Sequence, residues 1–491
     1  MNLAGIDLLA KAPLAEGDVF VGGHWLPAAD GRTYPVSDPA TGGLIREVSA
    51  AGPEDARAAI EAAESAAAGW RATPPRRRSE ILHTAFALMR EHTDTLARLI
   101  VLENGKAYRD AAAEVGYAAE FFRWFAEEAV RVGSAFGDAP AGGYRHVVRK
   151  HPVGVTAFVT PWNFPAAMAT RKIAPALAAG CPVLLKPAPE TPLTALAIAA
   201  LLTEAGLPEG LLNVLPTDRA PEVVSAWLGD ERVRKFSFTG STATGRLLLE
   251  QAAANVVNVT MELGGNAPFV VCADADVDAA VLGAMDAKMR GGGEVCIAAN
   301  RFYVHADVAA EFTEKFGAAM TAVRTGPGLA DGVTLGPMIN QAAVAKIRDL
   351  VADALTRGAR IAAQGEVPGG PGHFHPATVL VDVPDDARVL HEEVFGPVAP
   401  ITTFTDEDEM LARANATVHG LASYVYSRDV GRALRIAERL EAGMVGVNRG
   451  LLSDPAAPFG GVKQSGLGRE GGREGIEAFL ETQYIALDWP L

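Results

Sequence analysis

Cysteine is scarce. Cys181, Cys272 and Cys296 are the only three in 491 residues, too few for a disulfide framework, so a reducing compartment is expected. Basic charge is in deficit. With 44 Lys and Arg against 59 Asp and Glu the net charge is −15, which argues against nucleic acid or an anionic membrane as the main partner. A local basic pocket for a small anion is compatible with that balance. No uncharged apolar run is long enough to span a bilayer. The opening stretch MNLAGIDLLAKAPLAEGD lacks the basic segment and long apolar core of a signal peptide, so a cytoplasmic location is expected. No His/Cys cluster has metal-ligand spacing, so no metal is expected. What is present is ordinary globular composition, 49% hydrophobic and 21% charged, over a length that allows two or three domains.

The chain opens with short strands and turns (VFVGGHW) and turns helical from Pro53 to about Ala135. There PEDARAAIEAAESAAAGW and SEILHTAFALMREHTDTLARLIVLENG repeat apolar residues at helical spacing. GGYRHVVRKHPVG (142–154) alternates like an exposed hairpin, and ETQYIALDW near the end alternates again, so contacts between subunits are expected from both. Between them TAFVT, PVLLKP, LLNVLP and RKFSFTG read as strands separated by helical runs. That β–α–β order predicts an α/β fold with a doubly wound parallel sheet, and such sheets bind ligands at the carboxyl ends of their strands. A second α/β unit begins after Glu262, with strands near FVVC, RFYVH and VGVN.

Several strand ends carry reactive or polar groups. In KMRGGGEVCIAANR (288–301) three glycines precede Cys296; the backbone there can take conformations that a Cβ forbids, and the thiol can be presented beside free N–H groups. The same cysteine also fits a small buried hydrophobe. Asn163 in TPWNFP (160–165) suits either a turn or an oxyanion donor. Lys186 in LLKPAPETP ends another strand, and FTGSTATG (238–245) makes an anion site at a strand-to-helix junction without the spaced G-x-G-x-x-G pattern. MELGGNAP sets Glu262 against two glycines, HEEVFGP offers Glu393 and Phe395, and APFGGVKQSGLGRE is a glycine-rich loop.

In this order, these motifs resemble the aldehyde dehydrogenase superfamily over nearly the whole chain, and most closely its succinate-semialdehyde dehydrogenase branch. The closer resemblance rests on WNFPAAMATRKIAPALAAGCPV, on RFYV after the cysteine, and on VGVNRGLLSDPAAPFGGVKQSGLGREGG. The resemblance implies a Rossmann-like dinucleotide-binding domain (1–135 and 153–263), a catalytic domain (264–470) and a β oligomerisation flap (136–152 and 471–491) of a homodimer or homotetramer. It implies Cys296 as nucleophile, Asn163 as oxyanion donor and Glu262 as the base that activates water for thioester hydrolysis. Trp162, Lys186, Gly240, Ser241, Gly245, Glu393 and Phe395 are then expected on the NADP or NAD cofactor. Arg171, Arg290 and Ser453 match the positions that hold the substrate carboxylate in the branch. The implied substrate is succinate semialdehyde. Glutarate and 2-oxoglutarate semialdehyde stand as alternatives, as do a catalytically silent relative and a cysteine hydrolase.

Two departures matter. Gly291 and Glu294 replace the Asn and Gln common in the family, and Glu294 is expected to face away from the thiol, whose pKa it would otherwise raise. Pro189 replaces a glutamate that binds the adenosine ribose in many NAD-preferring members, which favours NADP.

Overall fold

The computed structural model describes residues 17–488; the start and the last three residues of the tail, including most of the stretch read for a signal peptide, lie outside it. Val155–Val159 is buried throughout, as expected for a strand covered on both faces. Its side chains alternate between two cores: Phe158 lies in the one that holds Phe121, Phe122 and Phe125, while Val155, Ala157 and Val159 lie in the one that holds Trp227. This strand is the middle of five parallel strands, in the spatial order Leu212–Val214, Val183–Lys186, Val155–Val159, Val233–Thr239, Asn258–Glu262. Numbered along the chain that order is 3-2-1-4-5, so the direction of winding reverses between Val155–Val159 and Val233–Thr239. A crevice opens at such a reversal, beyond the carboxyl ends of the strands.

Antiparallel strands close both edges of this sheet: Val19–Val21 with His24–Leu26 on one side, Gly466–Leu467 on the other. Gly466 and Leu467, which fall within 264–470, thus pair with Glu262 and Met261 of the first sheet. A second, seven-stranded sheet runs Arg360–Gln364, Thr378–Val381, Val398–Phe404, Ala299–His305, Ala267–Val271, Ala422–Tyr426, Met444–Val447, and only its first pair is antiparallel. Residues 142–154 form no hairpin of their own. They supply one strand, Arg145–Pro152, flanked by Ala135–Asp138 and Leu480–Leu487 in a separate three-stranded sheet. The long helical run from 79 also divides, into Pro75–Glu91 and Thr93–Asn104 with a junction at His92. Among the described residues no helix is long and apolar enough to cross a membrane.

Candidate active site

Strand ends and one glycine run shape a cavity of about 290 Å³ between the two large sheets. Val155–Val159 leads into the turn that carries Trp162 and Asn163, and Pro165 then starts the helix Pro165–Ala179 at a position that tolerates a missing N–H. Val233–Thr239 leads into Gly240 and Ser241, whose hydroxyl caps the helix Thr242–Ala253 by accepting from the Thr244 N–H at 3.3 Å. Asn258–Glu262 ends on Glu262 itself. From the other side the helix Val277–Met289 runs into Gly291, Gly292 and Gly293, with φ of 54°, 68° and 80°. Three left-handed residues in a row suit glycine alone. A Cβ on Gly293 would also strike the Gly396 carbonyl, and one on Gly265 the carbonyl of Cys296. The Cys296 segment is therefore fixed by main chain packed on main chain.

Eleven of the thirteen residues singled out from the sequence line this cavity: Trp162, Asn163, Arg171, Gly240, Ser241, Glu262, Arg290, Cys296, Glu393, Phe395 and Ser453. Lys186 and Gly245 do not. Lys186 ends its strand nearly buried, and burial lowers its ammonium to about 8 against the pull of Glu190. Gly245 lets its helix approach the Leu263 side chain, which a Cβ would meet at 2.5 Å.

Cys296 is half-buried, whereas Cys181 and Cys272 are buried completely. Burial pushes the Cys296 thiol up to about 12; Arg171 and Arg290 pull it down, while Glu262 and Glu393 push it further up. Glu262 is 3% exposed, and neither carboxyl oxygen has a hydrogen-bond partner. Burial, then the charge of Glu470, hold it well above the usual carboxylate range. An acid left in that state readily takes up a proton, and its oxygens are free for a ligand or water. Asn163 donates one amide N–H to the Glu294 carbonyl at 2.8 Å, which leaves the second for the cavity. The Glu294 carboxyl accepts from the Ile339 N–H at 3.2 Å.

The other end of the cavity is rich in donors. Arg171 is 2% exposed and donates to the Tyr117 hydroxyl at 2.6 Å, while its Nε has no acceptor. Its guanidinium lies 4.1 Å from the Phe459 ring centre. Arg290 donates to the Ser453 hydroxyl at 3.2 Å and stands 5.0 Å from the Phe164 ring centre. The nearest carboxylate to Arg171 is Glu470 at 3.8 Å, whose other oxygen is taken by Lys172. Two guanidiniums with spare N–H groups, walled by aromatic rings, have the chemistry to hold an anion.

At the crevice end Trp162 meets Phe395 edge-on, 5.5 Å between ring centres. Phe395 holds a φ of 52°, a strained value for a non-glycine residue. Glu393 accepts from the Gly265 N–H at 3.1 Å and is raised to about 7 by burial. Sequence reasoning missed Tyr117, Lys346 and Phe459, which also line the cavity. Tyr117 and Lys346 sit in helical runs with no motif around them, whereas Phe459 lay inside a motif that was read only for its glycines. Among the described residues no group of three His, Cys, Asp or Glu is placed to hold a metal ion.

The model of the aldehyde dehydrogenase family matches residues 25–485. The chain belongs to this family. It is 49% identical over 482 residues to the NADP succinate-semialdehyde dehydrogenase of Escherichia coli, covering 98% of this chain and 99% of that protein. It is also 49% identical over 482 residues to a 3-sulfolactaldehyde dehydrogenase of Pseudomonas putida, covering 98% of each. The crystal structure of a succinate-semialdehyde dehydrogenase from Burkholderia pseudomallei superposes with a TM-score of 0.94 at 47% identity, over 96% of this aldehyde dehydrogenase and 98% of that chain. Overall identity is the same for the two named enzymes, so it does not choose between their substrates. That choice rests on the cavity.

Proposed function

We propose that this aldehyde dehydrogenase oxidises a short aldehyde carrying an anion at its far end, with succinate semialdehyde the best single candidate and NADP or NAD as cofactor. One observation carries the reading: a single cavity joins Cys296, Glu262 and Asn163 to the surplus donors of Arg171, Arg290 and Ser453. A carboxylate held by those donors fixes how far the aldehyde carbon reaches toward the sulfur. Cys296 Sγ adds to that carbon, and the thiol proton leaves to a base in the cavity, for which Glu262 is placed. The oxyanion of the thiohemiacetal takes the free N–H of Asn163 and the Cys296 backbone N–H. Glu262 gives that first proton up to solvent; after the carbon is oxidised to the thioester it takes a proton from water as that water attacks, and passes it to the sulfur as the acid is released.

The residues present fit a dinucleotide. Gly240 and Ser241 open a helix at the winding reversal, and Trp162, Phe395 and Glu393 line the cavity beside them. A nicotinamide held there would supply the hydride acceptor for the oxidation. Lys186 supports use of a 2′-phosphate, and Pro189 offers no carboxylate against it.

A cytoplasmic homo-oligomer completes the proposal. Three free cysteines suit a reducing compartment. An apolar row on the three-stranded sheet, Phe136 across from Val147 and Val147 across from Ile485, leaves Phe136 62% and Ile485 39% exposed.

The test follows reduced-nicotinamide absorbance with succinate semialdehyde, glutarate semialdehyde, 3-sulfolactaldehyde and butanal. Highest kcat/KM is expected with succinate semialdehyde, and at least about tenfold lower with butanal, which lacks a charge-assisted contact. Equal rates on all four would remove the anion from the account.

A further inference from the structure

We propose that Lys106 is a positioning residue for the reaction, holding the Asn163 turn in register with the nucleophile; the proposal rests on the reading of Asn163 as oxyanion donor. The segment Asn104–Lys106 ends one helix and approaches the next, and no step of the chemistry uses it. Its side chains nonetheless tie the turn residue by residue. Asn104 donates to the Trp162 carbonyl at 3.0 Å, and its own amide oxygen accepts from the Lys106 N–H at 3.3 Å. Lys106 Nζ donates to the Asn163 carbonyl at 2.6 Å and to Glu114 at 2.6 Å, and it lies 4.1 Å from the Phe164 ring centre. Glu114 turns its second oxygen to the N–H groups of Ala166 and Ala167, at 2.9 and 3.3 Å, in the first turn of the following helix.

One buried ion pair thus grips the turn on both sides of Phe164. Lys106 is 5% exposed and Glu114 1%. An ammonium has three donors. Here one goes to the partner charge and one to the residue that aims the oxyanion donor, while the head group rests on the ring between. The Asn163 side chain is held from the opposite direction by the Glu294 carbonyl, two residues before the sulfur. With both its carbonyl and its amide anchored, Asn163 has little freedom to drift from the nucleophile. A misplacement of about 1 Å at such a group slows a reaction by up to ~10²-fold.

Removing Lys106 alone would strand a buried carboxylate and could unfold the protein. The test therefore uses Lys106→Met with Glu114→Gln, which keeps the acceptor for Ala166 and Ala167 and removes both charges. Single-turnover reduction of the nicotinamide is measured for this pair, for Asn163→Ala, and for all three substitutions together. Asn163→Ala is expected to slow the step about 10²- to 10³-fold, and the Lys106/Glu114 pair about 10- to 100-fold with KM unchanged. Combined, they should be no slower than Asn163→Ala alone, because the ion pair acts through Asn163. Losses that multiply, or a wild-type rate in the Lys106/Glu114 pair, would overturn the inference while leaving Asn163 in its role. A wild-type rate in Asn163→Ala would remove the oxyanion reading and the inference with it.

Discussion

Cys296 and Glu262 are both most stable protonated, the thiol near 12 and the carboxyl well above its usual range, chiefly through burial. The reactive forms are the deprotonated ones, so kcat/KM for the aldehyde should climb with pH through the neutral and mildly alkaline range. A profile flat from acid to alkaline pH would contradict these environments. Glu262→Gln cannot accept the proton of the attacking water, so the thioester should accumulate and steady-state turnover fall more than the first burst of reduced cofactor. Loss of the burst with turnover intact would reverse the assignment. Cys296→Ala should abolish oxidation while cofactor titration still shows binding. Cys181→Ala and Cys272→Ala should keep most activity, since both sulfurs lie in the cores away from the cavity.

Among elements, the strand ends carry the site and the glycine run sets its shape. Gly293→Ala would place a side chain at φ 80° against the Gly396 carbonyl, so a loss of at least about 1–2 kcal/mol in unfolding stability is expected, with activity reduced. Gly69→Ala, in the last turn of the helix Pro53–Ala72 with open space around it, should instead gain up to about 0.5 kcal/mol. Thermal denaturation of the two variants separates these signs. Lys186 keeps its charge at neutral pH and loses it as pH passes about 8. The ratio of kcat/KM for NADP over NAD should therefore fall above that pH in the wild type; a constant ratio assigns cofactor choice to another residue.

The strands of the first sheet were legible because they are short unbroken apolar runs between helices, as in VLLK and VTAFV. Asn258–Glu262 was less so: NVTME alternates in polarity and abuts a motif that drew attention to its carboxylate alone. The outer strands of the second sheet, such as Arg360–Gln364, are exposed and mixed in character. The flanking ties of Asn104, Lys106 and Glu114 were invisible for a different reason. Their partners stand 52 to 58 residues away in sequence, and no local pattern marks a buried lysine.

At the scale of the molecule, the cavity exists only where two sheets and their connections meet. Arg171 belongs to a helix packed on the first sheet, and Arg290 follows a helix that packs against strands of the second. The exposed row of Phe136 and Ile485 should hold subunits together. Phe136→Asp with Ile485→Asp should lower the mass measured by light scattering from that of a dimer or tetramer, and a wild-type monomer would refute the role of this row. The central claim is that this aldehyde dehydrogenase recognises an anion at one end of the cavity and an aldehyde at the other. Its most direct test compares succinate semialdehyde with butanal in Arg171→Ala and Arg290→Ala. Each variant should lose about ten- to more than hundredfold in kcat/KM for the acid, the equivalent of about 1.5–3 kcal/mol per charge-assisted contact, with butanal nearly unaffected. Equal losses on both substrates would make the arginines structural and contradict the oxo-acid assignment.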